Sequence, residues 1–166
     1  MLACITACGI LAFGKFDCSE LKALETRTLA ALQRHAKLPS ARACASLRGW
    51  VVTTHPHSLD EKPQQCENIE PVSRTCWATC PAGGWWLQFE GEWHCVSGYT
   101  WSTQGIIEIG DEPLQTGAFS HELVHALDHM AKRPVGHCKW TERGVKRAIW
   151  EATCLYDSTV EACASR

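Results

Sequence analysis

Residues 119–131 read FSHELVHALDHMA, and this stretch decides the fold. Its apolar side chains recur at helical spacing, which predicts an amphipathic, largely buried helix that begins between residues 113 and 120 and ends near residue 131. His121 and His125 are four residues apart, so they lie on one face of that helix. Burying two histidines and Glu122 without partners is costly, and the pattern therefore indicates a site on this face.

The HExxH spacing at residues 121–125 suits one zinc ion. Two imidazoles that lie one turn apart can both be ligands. Glu122 is turned by about 100° from His121, so its carboxylate can reach a water on the metal without being a ligand itself. In that position Glu122 would act as the general base that takes a proton from this water. We therefore predict a zinc site with Glu122 as the catalytic residue.

The rest of the chain predicts a mixture of helices and strands. Asp17 followed by Glu20 fits a capping box, and the apolar spacing after it predicts a helix over 17–38. Other segments show the alternation of strands or the spacing of short helices. The predicted strands are 50–54, 85–89, 92–96 and 105–109, and the predicted shorter helices are 41–47 and a last helix capped by Thr141. We expect residues 55–84 to be a loop region that disulfides fasten.

Composition argues against nucleic acid as a partner and against a transmembrane span. The chain has 166 residues, a formal net charge of −2 and no run of Lys or Arg, so nucleic acid is not an indicated partner. No apolar run reaches the roughly 18 residues that a transmembrane span needs. The length fits one domain, which we expect to be a monomer. Eight tryptophans favour core filling over an aromatic surface for a ligand.

The eleven cysteines are dispersed along the chain, which predicts disulfides and therefore an oxidising compartment. We expect the protein to be secreted, periplasmic or anchored to the cell envelope. The spacing does not give the pairing, and the odd total leaves at least one cysteine for another role.

Residues 1–16 are a candidate export signal or lipoprotein-type segment. Their first thirteen residues are apolar and small, like the core of an export signal, but no basic segment precedes them. Residues 5–8 read ITAC and resemble the lipobox at which bacterial lipoproteins are cleaved and acylated, which makes Cys8 a candidate lipid anchor. The alternative is an ordinary buried helix. Residues 17–166 then form a single folded domain.

The strand, the HExxH helix and the later helix over 105–157 resemble the zincin metallopeptidases. The run HELVHALDH at 121–129 most resembles the mitochondrial intermembrane-space metallopeptidase family that processes an ATP-synthase subunit, which is also cysteine-rich and disulfide-bonded. The resemblance implies a zinc metalloendopeptidase with a compact, zincin-like α+β domain. Its small twisted sheet would pack on the backing helix 17–38, beside an active-site helix and a C-terminal helix that supplies a glutamate.

This resemblance also implies a third zinc ligand. The gluzincin branch takes a glutamate from the next helix, and Glu142 and Glu151 are the candidates. Residues 150–154 read WEATC and resemble the gluzincin pattern of glutamate followed by small residues. We therefore predict Glu151 as the ligand, although Glu142 falls nearer the apolar stripe. His129 is excluded, because it lies about 12 Å along the helix from His121.

Two further residues are predicted to support the site. Asp128 faces the same side of the helix as His121 and His125, and we predict that it orients an imidazole without binding the metal. His137 lies in the loop that follows the helix and is a candidate to stabilise the oxyanion of the transition state.

The predicted function is hydrolysis of peptide bonds in a peptide or protein substrate by zinc-activated water. The substrate would add as an extended strand to an edge strand at 105–109. Two alternatives stay open. One is a non-catalytic, zinc-stabilised and disulfide-rich binding or adhesion module, and the other is an effector peptidase of narrow specificity.

Overall fold

The computed structural model describes residues 3–14, 17–38, 40–55, 75–76, 85–89, 92–110, 117–133, 137, 140 and 143–154. Over these residues the chain mixes helices and strands in a small α+β domain, as the sequence predicts. The strands are β1 (Ala3–Ile5), β2 (Leu11–Phe13), β3 (Val51–His55), β4 (Thr75–Cys76), β5 (Trp85–Phe89), β6 (Glu92–Val96), β7 (Gly98–Trp101) and β8 (Ile106–Gly110). The helices are α1 (Cys18–Ala36), α2 (Ser40–Ser46), α3 (Ala118–Met130) and α4 (Val145–Cys154).

The larger sheet is mixed, with its strands in the order β1-β2-β3-β8-β7, and a second sheet contains β4, β5 and β6. In the larger sheet β2, β3 and β8 run parallel, while β1 and β7 are antiparallel to their neighbours. One row of directly paired residues crosses it, formed by Ala12, Val52, Ile107 and Thr100. All four are buried. This face supports α3, which packs against β7 and β8.

The strand predicted at 105–109 exists as β8, but its predicted place at an edge of the sheet is wrong. β8 pairs with β3 on one side and with β7 on the other, so its backbone groups are already used. Within the described part of the chain, β7 is the last strand on this side of the sheet. Alternation along a strand reports which face is buried, and it carries no information about the number of neighbouring strands.

The N-terminal residues 3–14 are an integral part of the sheet, and the predicted alternative of a buried helix is wrong. β1 and β2 form an antiparallel pair, and β2 continues the sheet towards β3. Disulfides join Cys4 to Cys18 and Cys8 to Cys44. The thiol of Cys8 is therefore already bonded, and the prediction of a lipid anchor at this residue is wrong for this structure.

The two disulfides indicate an oxidising compartment, in agreement with the cysteine content. Most of the region 55–84, which was predicted to be a loop fastened by disulfides, lies outside the described residues. None of the helices in the described part of the chain is both long enough and apolar enough to span a membrane.

Helix α1 begins where the sequence predicts. The carboxylate of Asp17 accepts hydrogen bonds from the backbone N–H groups of Ser19 and Glu20. Along its length α1 packs chiefly against α4. It also reaches α3, because the hydroxyls of Thr28 and Ser120 lie 2.8 Å apart in the core. Helix α3 is thus fixed by the sheet and by α1.

Candidate metal centre

Three imidazoles lie close together, two from α3 and one from the connection between α3 and α4. His121 and His125 lie one turn apart on α3, as predicted, and His137 approaches them from the connection. Their Nε2 atoms are separated by 3.2 Å (His121 to His125), 2.9 Å (His121 to His137) and 3.0 Å (His125 to His137). Among the described residues, these three histidines are the group that could hold a metal ion. His121 and His125 are half-buried and His137 is exposed, so the group faces solvent.

The three nitrogens suit a shared cation better than hydrogen bonds to one another. In any one protonation state an imidazole nitrogen is either a donor or an acceptor. Three nitrogens in mutual contact cannot alternate these roles, so at least one pair repels. A tetrahedral zinc ion with Zn–N bonds of 2.0–2.1 Å sets its nitrogen ligands about 3.3 Å apart. The observed separations of 2.9–3.2 Å are close to that spacing, so the residues fit the ion.

The surroundings keep two of these imidazoles neutral, which is the form that binds metals. Burial lowers the pKa of His121 to about 3, and the neighbouring His125 and His137 add to this effect. Burial and His137 also lower the pKa of His125 to about 4, while the carboxylate of Asp128 acts in the opposite direction. The lone pairs of His121 and His125 are therefore available near neutral pH.

The carboxylate of Glu122 lies beside the histidines but is not one of the group. Its Oε1 is 4.0 Å from the Nε2 of His121. The residue is only 6% exposed, and burial raises the pKa of Glu122 to about 7, against the opposing effect of a hydrogen bond from Thr100. A dication at the three histidines would lower this pKa again. A carboxyl whose pKa lies near neutrality can both take up and release a proton.

Two residues of β7, Thr100 and Gly98, position Glu122. Neither was identified from the sequence. The hydroxyl of Thr100 lies 2.8 Å from Oε2 of Glu122 and 2.9 Å from its backbone oxygen, so it donates to this residue on α3. A Cβ added to Gly98 would lie 2.8 Å from Cγ of Glu122. Only glycine therefore lets β7 approach the helix this closely. A glycine two residues before a threonine is too common a pattern to have indicated this role.

The predicted third ligand is not brought to the two histidines. The carboxylate of Glu151 instead forms an ion pair with Arg34 and is hydrogen-bonded to His35, both on α1. The bonds from His35 and Arg34 hold the pKa of this carboxyl below its usual value. Glu151 lies on the side of α4 that faces α1, so it joins two helices. The other candidate, Glu142, lies outside the described residues.

Asp128 was predicted to orient an imidazole. In the structure it lies close to the site but contacts other residues. It is fully buried, and its two oxygens accept hydrogen bonds from Arg143 at 2.7 and 2.9 Å. A longer bond of 3.3 Å comes from the indole Nε1 of Trp140. Among the described residues, the Nδ1 atom of His125 has no hydrogen-bond partner.

Trp140 also contacts the site, although no motif in the sequence connects it with the histidines. Its ring centroid lies 4.7 Å from that of His121 and 4.6 Å from those of His125 and His137. The side chain is 1% exposed, so it fills the core as the tryptophan content predicts. The same ring forms the wall behind all three imidazoles. His129 lies elsewhere, with its ring 6.3 Å from that of Trp50.

No family model, no curated protein and no solved structure matches this chain. The resemblance of residues 105–157 to the zincins therefore stays a prediction. The function has to be inferred from the geometry of the site.

Proposed function

We propose that the protein is a zinc-dependent peptidase in which His121, His125 and His137 hold the metal and Glu122 is the general base. One observation carries this proposal: three Nε2 atoms lie 2.9–3.2 Å from one another, with a buried carboxylate 4.0 Å from one of them. The third ligand is then a histidine rather than the glutamate of the gluzincin branch. His137 takes this role instead of the predicted one at the oxyanion.

The two oxygens of Glu122 have different surroundings, which assigns them different tasks. Oε2 accepts the hydrogen bond from Thr100 and is held against β7. Oε1 is the oxygen near His121, so it is the atom that would accept a proton from the attacking water and later pass it to the leaving amine. Zinc, when bound, would supply the Lewis acid that activates water and polarises the scissile carbonyl.

Two features favour a catalytic site over a zinc site that only stabilises the fold. Structural zinc sites usually have four protein ligands, whereas catalytic sites have three and keep one position open. Here the described residues offer three candidate ligands, and the group faces solvent. Burying a carboxylate that is not a ligand is also unfavourable for stability. A role in proton transfer gives a reason for Glu122 to be there.

The substrate in this proposal is a peptide or protein segment in extended form. β7 is the last strand of the larger sheet within the described residues, and it touches Glu122, so it replaces 105–109 as the strand to which a substrate would add. We propose that the protein acts outside the reducing cytosol, as a secreted, periplasmic or envelope-associated enzyme, because its disulfides need an oxidising compartment.

The variant Glu122→Gln tests the proposal. It should keep one zinc ion per chain and should lose cleavage of a peptide library, because glutamine cannot accept the proton. The matched control is Glu25→Gln, which changes another buried glutamate whose contacts are with Thr6 and Cys8 rather than with the histidines. If the wild type binds zinc stoichiometrically but cleaves no member of the library, the enzyme proposal fails in favour of a non-catalytic zinc module.

A further inference from the structure

We propose that Asp128, Arg143 and Trp140 form a clamp that positions His137 for metal binding, with Asp128 as its central positioning residue. This inference rests on the proposed zinc site. The clamp would hold His137, which lies outside α3 and α4, at the right distance from His121 and His125 on α3.

Only one of the three ligands needs such a device. The backbone hydrogen bonds of α3 fix the spacing of His121 and His125. His137 lies beyond the end of α3 at Met130 and before the start of α4 at Val145. Its position therefore depends on contacts between the connection and the body of the protein.

The clamp supplies those contacts through a buried carboxylate. Asp128 is 0% exposed and lies on α3, one turn beyond His125. Both of its oxygens are bound by the guanidinium of Arg143, at 2.7 and 2.9 Å, which is the two-point geometry that gives arginine–carboxylate pairs their directionality. The indole N–H of Trp140 donates to the same carboxylate. One side chain of α3 thus binds two residues that follow His137 in the chain.

The clamp continues into the backbone. The N–H of Trp140 donates to the carbonyl oxygen of His137 at 3.0 Å, and the carbonyl of Trp140 accepts from Val145 at 2.9 Å. Trp140 is therefore connected to the ligand before it and to the first residue of α4 after it. Fixing the indole against Asp128 fixes the backbone that carries His137.

The indole also acts through packing. Its ring lies 4.6–4.7 Å, between centroids, from each of the three imidazoles. Because Trp140 is 1% exposed and bonded at Nε1, it has little freedom to rotate. A fixed ring behind the imidazoles limits the directions in which their Nε2 atoms can point. Usually a carboxylate restrains a metal-bound histidine through a direct hydrogen bond; here the carboxylate would act through a tryptophan and an arginine.

Measuring the dissociation constant for Zn²⁺ by competition with a chelator tests the clamp. Asp128→Asn should weaken Zn²⁺ binding by about 10- to 100-fold, the usual effect of losing an outer partner of a metal ligand. Trp140→Phe keeps an aromatic ring behind the imidazoles but removes the N–H donor and makes the ring smaller, so it should weaken binding in the same direction. It is the second test of the clamp if Asp128→Asn does not fold. Glu25→Gln, a buried carboxylate variant away from the histidines, should leave the dissociation constant unchanged.

The same substitutions in a His137→Ala background separate positioning from general destabilisation. If Asp128 acts mainly by placing His137, Asp128→Asn should cause a clearly smaller loss of Zn²⁺ affinity once His137 is absent than it causes in the wild type. An equal loss in both backgrounds, or wild-type affinity in Asp128→Asn and Trp140→Phe, would overturn the clamp while leaving the zinc site intact. If the wild type binds no Zn²⁺, or if His121→Ala and His137→Ala bind it as tightly as the wild type, the proposed function and the clamp both fail.

Discussion

Replacing Gly98 with alanine should slow peptide hydrolysis while leaving zinc binding unchanged. The added Cβ would lie 2.8 Å from Cγ and 3.3 Å from Oε1 of Glu122. Both atoms belong to the proposed general base. Because Gly98 approaches this side chain and not the histidines, the substitution should displace the base without disturbing the ligands.

The size of the effect follows from the displacement. Ordinary van der Waals contact begins near 3.4 Å, so Glu122 and β7 must separate by about 0.6 Å. Misplacing a catalytic group by about 1 Å can cost roughly 100-fold in rate. We therefore expect kcat to fall by about 10- to 100-fold, which corresponds to roughly 1.4–2.7 kcal/mol in the activation free energy. The buried position of the carboxylate leaves it little space into which to move.

The assay compares kcat on a cleaved peptide with the zinc content of the same sample. Gly117→Ala is the matched control, because a Cβ at Gly117 meets no atom of the described residues within 4 Å although this glycine stands directly before α3. It should keep the wild-type kcat. Wild-type kcat in Gly98→Ala would refute the reasoning, and so would a loss of activity that merely follows a loss of zinc.

Three further predictions concern residues around the site and in the core. Glu151→Gln should leave the Zn²⁺ affinity unchanged, whereas His137→Ala should weaken it. Competition with a chelator compares the two variants directly, and a weaker affinity in Glu151→Gln than in His137→Ala would favour Glu151 as the ligand. Replacing Cys8 and Cys44 with serine should lower the free energy of unfolding by roughly 4 kcal/mol, since their disulfide closes a loop with a sequence separation of 36, and an unchanged urea midpoint would contradict this. Burial raises the pKa of Glu25, so the folded state binds this proton more tightly than the unfolded state, and the free energy of unfolding should fall as pH rises above the ordinary value of 4.5. In Glu25→Gln the free energy of unfolding, measured with urea at several pH values above 4.5, should fall less than in the wild type. An identical pH dependence in the two proteins would contradict this prediction.

Local patterns in the sequence were sufficient for α1 and α3 and for the candidate site residues that α3 carries. The cap at Asp17 and the spacing of HELVH each depend on residues within one or two turns, and α1 and α3 form as predicted. The strands β1 and β2 were missed because each has only three residues, which is too short for alternation to show. Their apolar residues were equally compatible with a signal segment or a helix.

The proposed third ligand, His137, could not be predicted because its position depends on packing between distant segments. The choice of Glu151 rested on motif similarity, while the orientation of α4 is set by its packing on α1, where Arg34 and His35 engage this carboxylate. His137 was recognised as lying near the site, but in another role. A histidine in a connection has no periodicity that reveals its direction, and the two residues proposed to hold it lie apart in the chain, Asp128 on α3 and Trp140 in the connection.

The proposed ligands and the proposed base are held by different contacts, although most of them lie on α3. α3 carries two of the proposed ligands, the contacts of Asp128 would hold the third, and β7 contacts the proposed base through Thr100 and Gly98. Zinc affinity and hydrolysis should therefore respond to different substitutions. A zinc site that only stabilised the fold would need the ligands and the contacts that hold them, and would gain nothing from a strand that fits closely around a buried carboxylate. The close approach of β7 to Glu122 is thus the feature that most favours an enzyme over a binding module.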